Sequence, residues 1–278
     1  MPEALRPYLA AFASRFQLML QYRAAAVAGF ATQCWWGGIK VMIYSAFYRG
    51  APAAASAASI DLAQTITYTW MAQGLLALVP WACDPDIALA VRTGAVSYDR
   101  LRPVDAYGLW YARSAGWMAA RVLPRAALMV LAAGLVMPLV GLGRWSLRPP
   151  ADVAQAGLFA LSALLALSLA AALVMLINII VTATLNDRGP NTLVMPLAIV
   201  LSGNLIPLAI LPDAVQPWLI AQPFAGILDI PLRIYMGALR GEAALWGLGL
   251  QVFWTVVLGI AGRLWLERVM RRLEVQGG

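Results

Sequence analysis

Histidine is absent from the 278 residues, and with it go the commonest general base and the commonest metal ligand. Lysine occurs once, as Lys40. A phosphate-cradling Walker A loop needs a lysine after its second glycine, followed by Ser or Thr. Trp36-Gly37-Gly38-Ile39-Lys40-Val41 offers neither the loop nor the hydroxyl, so the chain is not expected to hydrolyse nucleotide by that route. The two cysteines, Cys34 and Cys83, lie in or beside apolar runs and define no disulfide framework or metal site. Charge is scarce as well: 12% of residues, against roughly 25% in soluble domains. With 62% of residues hydrophobic, no soluble core could absorb the apolar surface. These shortages point to an all-α integral membrane protein.

The scarce charges are concentrated. Four of the 13 carboxylates fall between Asp84 and Asp105, in a stretch flanked by long apolar segments. Asp84 can cap a helix, Pro85 suits its first position, and Asp86 complements the positive end of the dipole. Arg92 then falls in the last turn and Gly94 supplies a left-handed C′ residue, giving a helix of about two turns. Ser97 is a second start signal, Pro103 a stop, and Asp105 can cap the next apolar segment. Two short capped helices between spans make a rigid docking element; the plainer alternative is an ordinary polar turn.

Around that stretch, residues 1–23 read as an interfacial helix, with Leu9, Phe12, Phe16 and Met19 at helical spacing and Arg6, Arg15 and Arg23 interleaved. Six spans are expected, at about 24–48, 63–83, 106–143, 153–185, 191–211 and 243–266. The first apolar run begins near Ala24, too late and too long for the core of a cleavable signal peptide. Arg113, Trp117, Arg121 and Arg125 repeat every four residues on one helix face, so the third helix starts in the interface and enters hydrocarbon near Val122. Residues 212–242 are apolar yet broken by Pro212, Pro217, Pro223 and Pro231; they read as short re-entrant helices covered by protein. Arginine placement favours both termini on the cytoplasmic side.

The succession Arg92-Thr93-Gly94, Leu101-Arg102-Pro103-Val104, Ser202-Gly203-Asn204-Leu205-Ile206-Pro207, Leu211-Pro212, Gln222-Pro223-Phe224, Tyr235-Met236-Gly237 and Val275-Gln276-Gly277-Gly278 resembles the permease subunit of ABC type 2 exporters. The resemblance runs the whole length of the chain, with each motif weak alone. It implies six transmembrane helices in a bacterial inner membrane, a second permease (identical or different), and two separate ATP-binding subunits. ATP and Mg would be used by those partners, with no cofactor on this chain, no enzyme activity of its own and no nucleic-acid partner. The loop between spans two and three would carry the coupling helix, making Asp84, Asp86, Arg92, Gly94 and Arg102 contacts for the ATPase. Asp187 and Arg188 share that face and are secondary contacts.

Three polar residues at membrane depth are candidate pathway positions. Lys40 either snorkels toward Arg49 and the outer surface or meets an anionic substrate or headgroup. Asn178 either bonds between helices or lines the pathway, and Asn204 is grouped with them. Rival classes are a membrane-embedded lipid-modifying enzyme, poor in acids, bases and metal ligands, and a secondary transporter, for which internal symmetry and intramembrane carboxylates are lacking.

Overall fold

A computed structural model describes residues 3–52, 58–99 and 103–272. Among them there is helix and no strand. In chain order the helices are α1 (Arg6–Leu20), α2 (Arg23–Gly50), α3 (Leu62–Leu75), α4 (Pro85–Arg92), α5 (Val96–Asp99), α6 (Ala106–Leu139), α7 (Val153–Thr184), α8 (Arg188–Leu201), α9 (Gln216–Ala221), α10 (Asp229–Tyr235) and α11 (Gly241–Arg272).

Among the described residues three helices are long and apolar enough to cross a bilayer, namely α6, α7 and α11. The chain is therefore membrane-embedded and all-α. Helix α7 is the axis: 67% of its most apolar window is buried, against 17% for α6 and 22% for α11. Its buried run Leu169–Met175 is small and aliphatic, which lets α6, α10 and α11 pack closely around it. Helices α2 and α3 join this frame through α6. Trp35, Trp36, Leu131, Leu135, Trp246, Phe253 and Ile260 point outward and are exposed, as expected of a surface whose solvent is lipid.

The other expected spans differ from those three. Helix α2 has 28 residues but Gln33, Lys40 and Arg49 lower its hydropathy. Helices α3 and α8 have 14 residues each, reaching about 21 Å at 1.5 Å per residue, short of a hydrocarbon core of about 30 Å. The expected second span continues as a 3₁₀ turn, Leu76–Leu78, and leaves helix before Pro80; the fifth ends at Gly203, whose φ is +80°. The expected third helix is continuous from Ala106 to Leu139 but passes through a π segment at Leu131–Val136. Proline-broken residues 212–242 form α9, a 3₁₀ turn at Pro223–Gly226, and α10, the short-helix pattern read from the prolines.

Helix α1 coincides with the expected amphipathic segment and packs along α6. Gly116 makes that approach possible, because a Cβ there would sit 2.5 Å from the Phe12 carbonyl oxygen.

Candidate functional site

Helix α4 forms where its punctuation placed it. The Asp84 carboxylate accepts the Asp86 N–H at 3.0 Å, Pro85 opens the helix and Arg92 closes it. Thr93 is the C-cap, and Gly94 adopts φ +74°, the left-handed geometry expected of C′. The next start differs: α5 begins at Val96, so Ser97 lies inside it instead of capping it. Asp105 does cap α6, accepting the Gly108 N–H at 2.8 Å.

What the sequence does not reveal is that Asp84 faces inward. It is fully buried, and its carboxylate accepts from Arg15 on α1 at 3.2 Å and from Ser114 on α6 at 3.5 Å. Its own N–H donates to the Asn178 side chain on α7 at 2.8 Å. Asp86 pairs with the same Arg15 and, at 3.5 Å, with Arg113 on α6. One residue back, the Cys83 N–H donates to the Asn191 side chain of α8 at 3.0 Å. The N-terminus of α4 is thus tied to α1, α6, α7 and α8 at once. Burial pushes the Asp84 carboxyl above the ordinary range, and the Arg15 charge offsets part of that rise.

Of the expected ATPase contacts, Asp84 is consequently spent on the chain's own frame, while the far end of α4 is open. Arg92, Thr93, Gly94 and Ala95 are exposed, and Leu89 and Tyr98 are 54% and 68% exposed. Asp187 meets Arg92 in an ion pair of 3.6 Å, which puts the turn before α8 beside the end of α4. Arg188 is exposed at the first position of α8, beside them in sequence. Arg102 lies outside the described residues, as do residues 273–278.

The pathway candidates part company. Asn178 sits in the α4 cluster as an interhelical hydrogen-bond partner, also approached by Ser114 at 3.5 Å. Lys40 and Asn204 come together elsewhere: the ammonium donates to the Asn204 carbonyl and, at 3.5 Å, to its side chain. Lys40 therefore closes on a broken backbone instead of reaching toward Arg49. Nearby, Tyr44 donates to the Leu205 carbonyl at 3.1 Å. Tyr68 donates to the Gly203 carbonyl at 3.1 Å and to Asp229 at 3.3 Å. Asp229, fully buried, also accepts the Leu208 N–H at 3.2 Å and faces Arg233 at 3.7 Å.

The two clusters lie at different levels of the helical frame. Asn178 of α7 belongs to the first; the second is gathered at the start of α10, whose far end is held by Gln155 of α7 through the Ile234 and Leu239 carbonyls. About 35 Å of helix separates Asn178 from Gln155, close to the thickness of a hydrocarbon core. Sequence reasoning does not single out Arg15, Ser114, Asn191, Tyr68, Asp229 or Arg233 as site residues. A signal for Arg15 exists, since it falls between Phe12, Phe16 and Met19 on the apolar arc of α1. Asp229 and Arg233 likewise stand at i, i+4 in an otherwise apolar segment.

Among the described residues no group of acidic, cysteine or histidine side chains could hold a metal ion. No family model matches the chain, and no curated protein or solved structure is significantly similar to it.

Proposed function

We propose that the chain is the permease half of an ATP-driven exporter of the ABC type 2 kind, working with two ATP-binding subunits and a second permease. The carrying observation is the asymmetry of α4: its base is bonded into α1, α6, α7 and α8, while Leu89, Arg92 and Tyr98 are exposed at its other end. A load applied at the exposed end passes through Asp84 and Asn178 directly into α6 and α7. That is the mechanical requirement for a rigid element that conveys nucleotide-driven closure to membrane helices. The six-span count belongs to this reading, with α2, α3 plus residues 76–83, and α8 plus residues 202–211 completing the set. So does the assignment of the α4 end to the cytoplasm, where it would meet ATPase subunits. Lys40 and Asn204 then cover broken backbone near the outer mouth.

The test is energetic. Transport by reconstituted vesicles should require added ATP and the ATPase partner, and should persist after ionophores collapse ion gradients. Gradient-driven transport without ATP would place the chain among secondary transporters, and ATP turnover by the purified chain alone would contradict the division of labour.

A further inference from the structure

Helix α6 carries two more arginines on the face that begins with Arg113. Arg113 has Asp86 for a partner. Arg121 and Arg125 have no carboxylate partner among the described residues, and the Arg125 Nε is buried without a hydrogen bond. They are one helical turn apart, so their like charges add to the cost of leaving both unneutralised.

Both side chains are held in place. The Arg121 guanidinium lies 4.6 Å over the Trp117 ring, a cation–π contact that fixes its direction. It forms part of the wall of a cavity of about 220 Å³ with Trp81, Trp117, Pro80, Cys83 and Val174. The Arg125 guanidinium occupies the place of a missing side chain on α2, since a Cβ at Gly29 would come within 2.7 Å of it.

Their depth is set by the neighbours. Tyr8 of α1 lies against Gly108 and Phe12 against Gly116, whereas Gly29 of α2 lies against Arg125. The junction between α1 and α2, at Gln21 and Tyr22, therefore sits at the level of Arg121. There an amphipathic helix gives way to a lipid-facing one, which is where headgroups meet acyl chains. Two guanidinium groups one turn apart at that depth, the first beside Trp81 and Trp117, supply the positive charge and N–H donors that a phosphate group takes. Basic pockets between transmembrane helices take anionic lipid headgroups on the same grounds.

We infer that Arg121, in the wall of the cavity between α6 and residues 79–83, and Arg125, one turn further along α6 beside Gly29, bind the phosphate of an anionic membrane lipid. The site is independent of the transporter reading and requires only that the chain be membrane-embedded. Free phosphate shares the same chemistry, but the level of the site and its tryptophan wall favour the headgroup.

Native mass spectrometry of the purified chain in neutral detergent tests this, titrating phosphatidylglycerol, phosphatidylcholine or inorganic phosphate. Wild type should retain phosphatidylglycerol at least 10-fold more than phosphatidylcholine, and its melting temperature should rise with the first lipid alone. In the Arg121→Gln/Arg125→Gln double variant that excess should vanish, whereas Arg268→Gln, at an exposed position, should keep it. Gly29→Leu gives a second route, displacing Arg125 while leaving every charge in place, and should weaken the same preference. Equal retention of the two lipids by wild type would overturn the inference without any variant having to fold. Equal stabilisation by inorganic phosphate would overturn the lipid assignment, and an undiminished preference in both Arg121→Gln/Arg125→Gln and Gly29→Leu would overturn the residues.

Discussion

At the α4 end of α7, four charged side chains from three elements share their counterions: Arg15, Asp84, Asp86 and Arg113. Around the Gly203 turn and the start of α10, charge serves broken backbone. Lys40 caps the Asn204 carbonyl, Tyr68 the Gly203 carbonyl, and Asp229 takes the Leu208 N–H while facing a single arginine. The first arrangement fastens a small piece, a helix of eight residues, to large helices it could not otherwise grip. The second lets irregular chain lie against α2 and α3 with the Gly203 and Asn204 carbonyls and the Leu208 N–H bonded, as a lipid environment requires. A chain with so few charges spends them where regular helices cannot supply the bonding.

Arg15→Gln should give the largest loss of stability. It leaves Asp84 buried with no cation directly on it, a change that costs about 3–5 kcal/mol for a buried pair. The loss should depend on pH. The Asp84 carboxyl is raised in the folded chain, so its protonated form is favoured there and that stabilisation fades as pH climbs from about 4 toward neutrality. The Arg15 attraction exists only once Asp84 is ionised, so the deficit of Arg15→Gln should be larger at pH 7.5 than at pH 5, as read from melting in detergent. A deficit independent of pH would mean that Arg15 contributes by packing against α6 alone.

Gly203→Ala should come next, costing about 1–3 kcal/mol for a residue held at φ +80°. Part of the loss is steric, because the added Cβ would run into the Tyr68 hydroxyl. Tyr68→Phe removes that hydroxyl, leaves one acceptor of Asp229 unused, and should cost about 1–2 kcal/mol alone. Combined, the two should cost less than their sum; strict additivity would show that the Gly203 turn and Tyr68 are not coupled.

How far these features can be read from the chain differs between the two ends. The α4 helix is legible down to its caps, because Asp84, Pro85, Arg92 and Gly94 act on backbone geometry within four residues of themselves. The direction of Asp84 is not, since a cap that bonds its own helix and a carboxylate that also meets α1 have the same local sequence. The proline-broken 212–242 segment announces short helices, yet nothing local fixes which turn Lys40 covers. Apolar composition overstates the helices at α3 and α8 because it continues through residues 79–83 and 204–211 after the helix has stopped.

Lys40→Met should have a smaller effect, about 1 kcal/mol, because it removes the ammonium's bonds to the Asn204 carbonyl and side chain while Tyr44 still holds the neighbouring Leu205. If Lys40 also meets cargo, transport should fall further than melting does. Gly94→Val should be comparable, and Arg92→Glu should disturb stability least. The Arg92–Asp187 pair is solvent-exposed and worth well under about 1 kcal/mol, and a Cβ at Gly94 meets open space, leaving only a φ cost of about 1 kcal/mol. Both variants should insert and melt almost as wild type, yet lose assembly with the ATPase or the coupling of hydrolysis to transport.

Photocrosslinking from the exposed end of α4 tests the proposed coupling role most directly. A benzophenone side chain at Leu89 or Tyr98, in cells making the whole assembly, should join the chain to a subunit that carries a nucleotide-binding loop. The same group at Leu139, exposed at the far end of α6, should not. Adducts from Leu89 and Tyr98 that vanish with Gly94→Val would establish the contact and its dependence on the helix end. Adducts from Leu139 but none from either α4 position would contradict the account, leaving α4 as a strut of the membrane frame and no more.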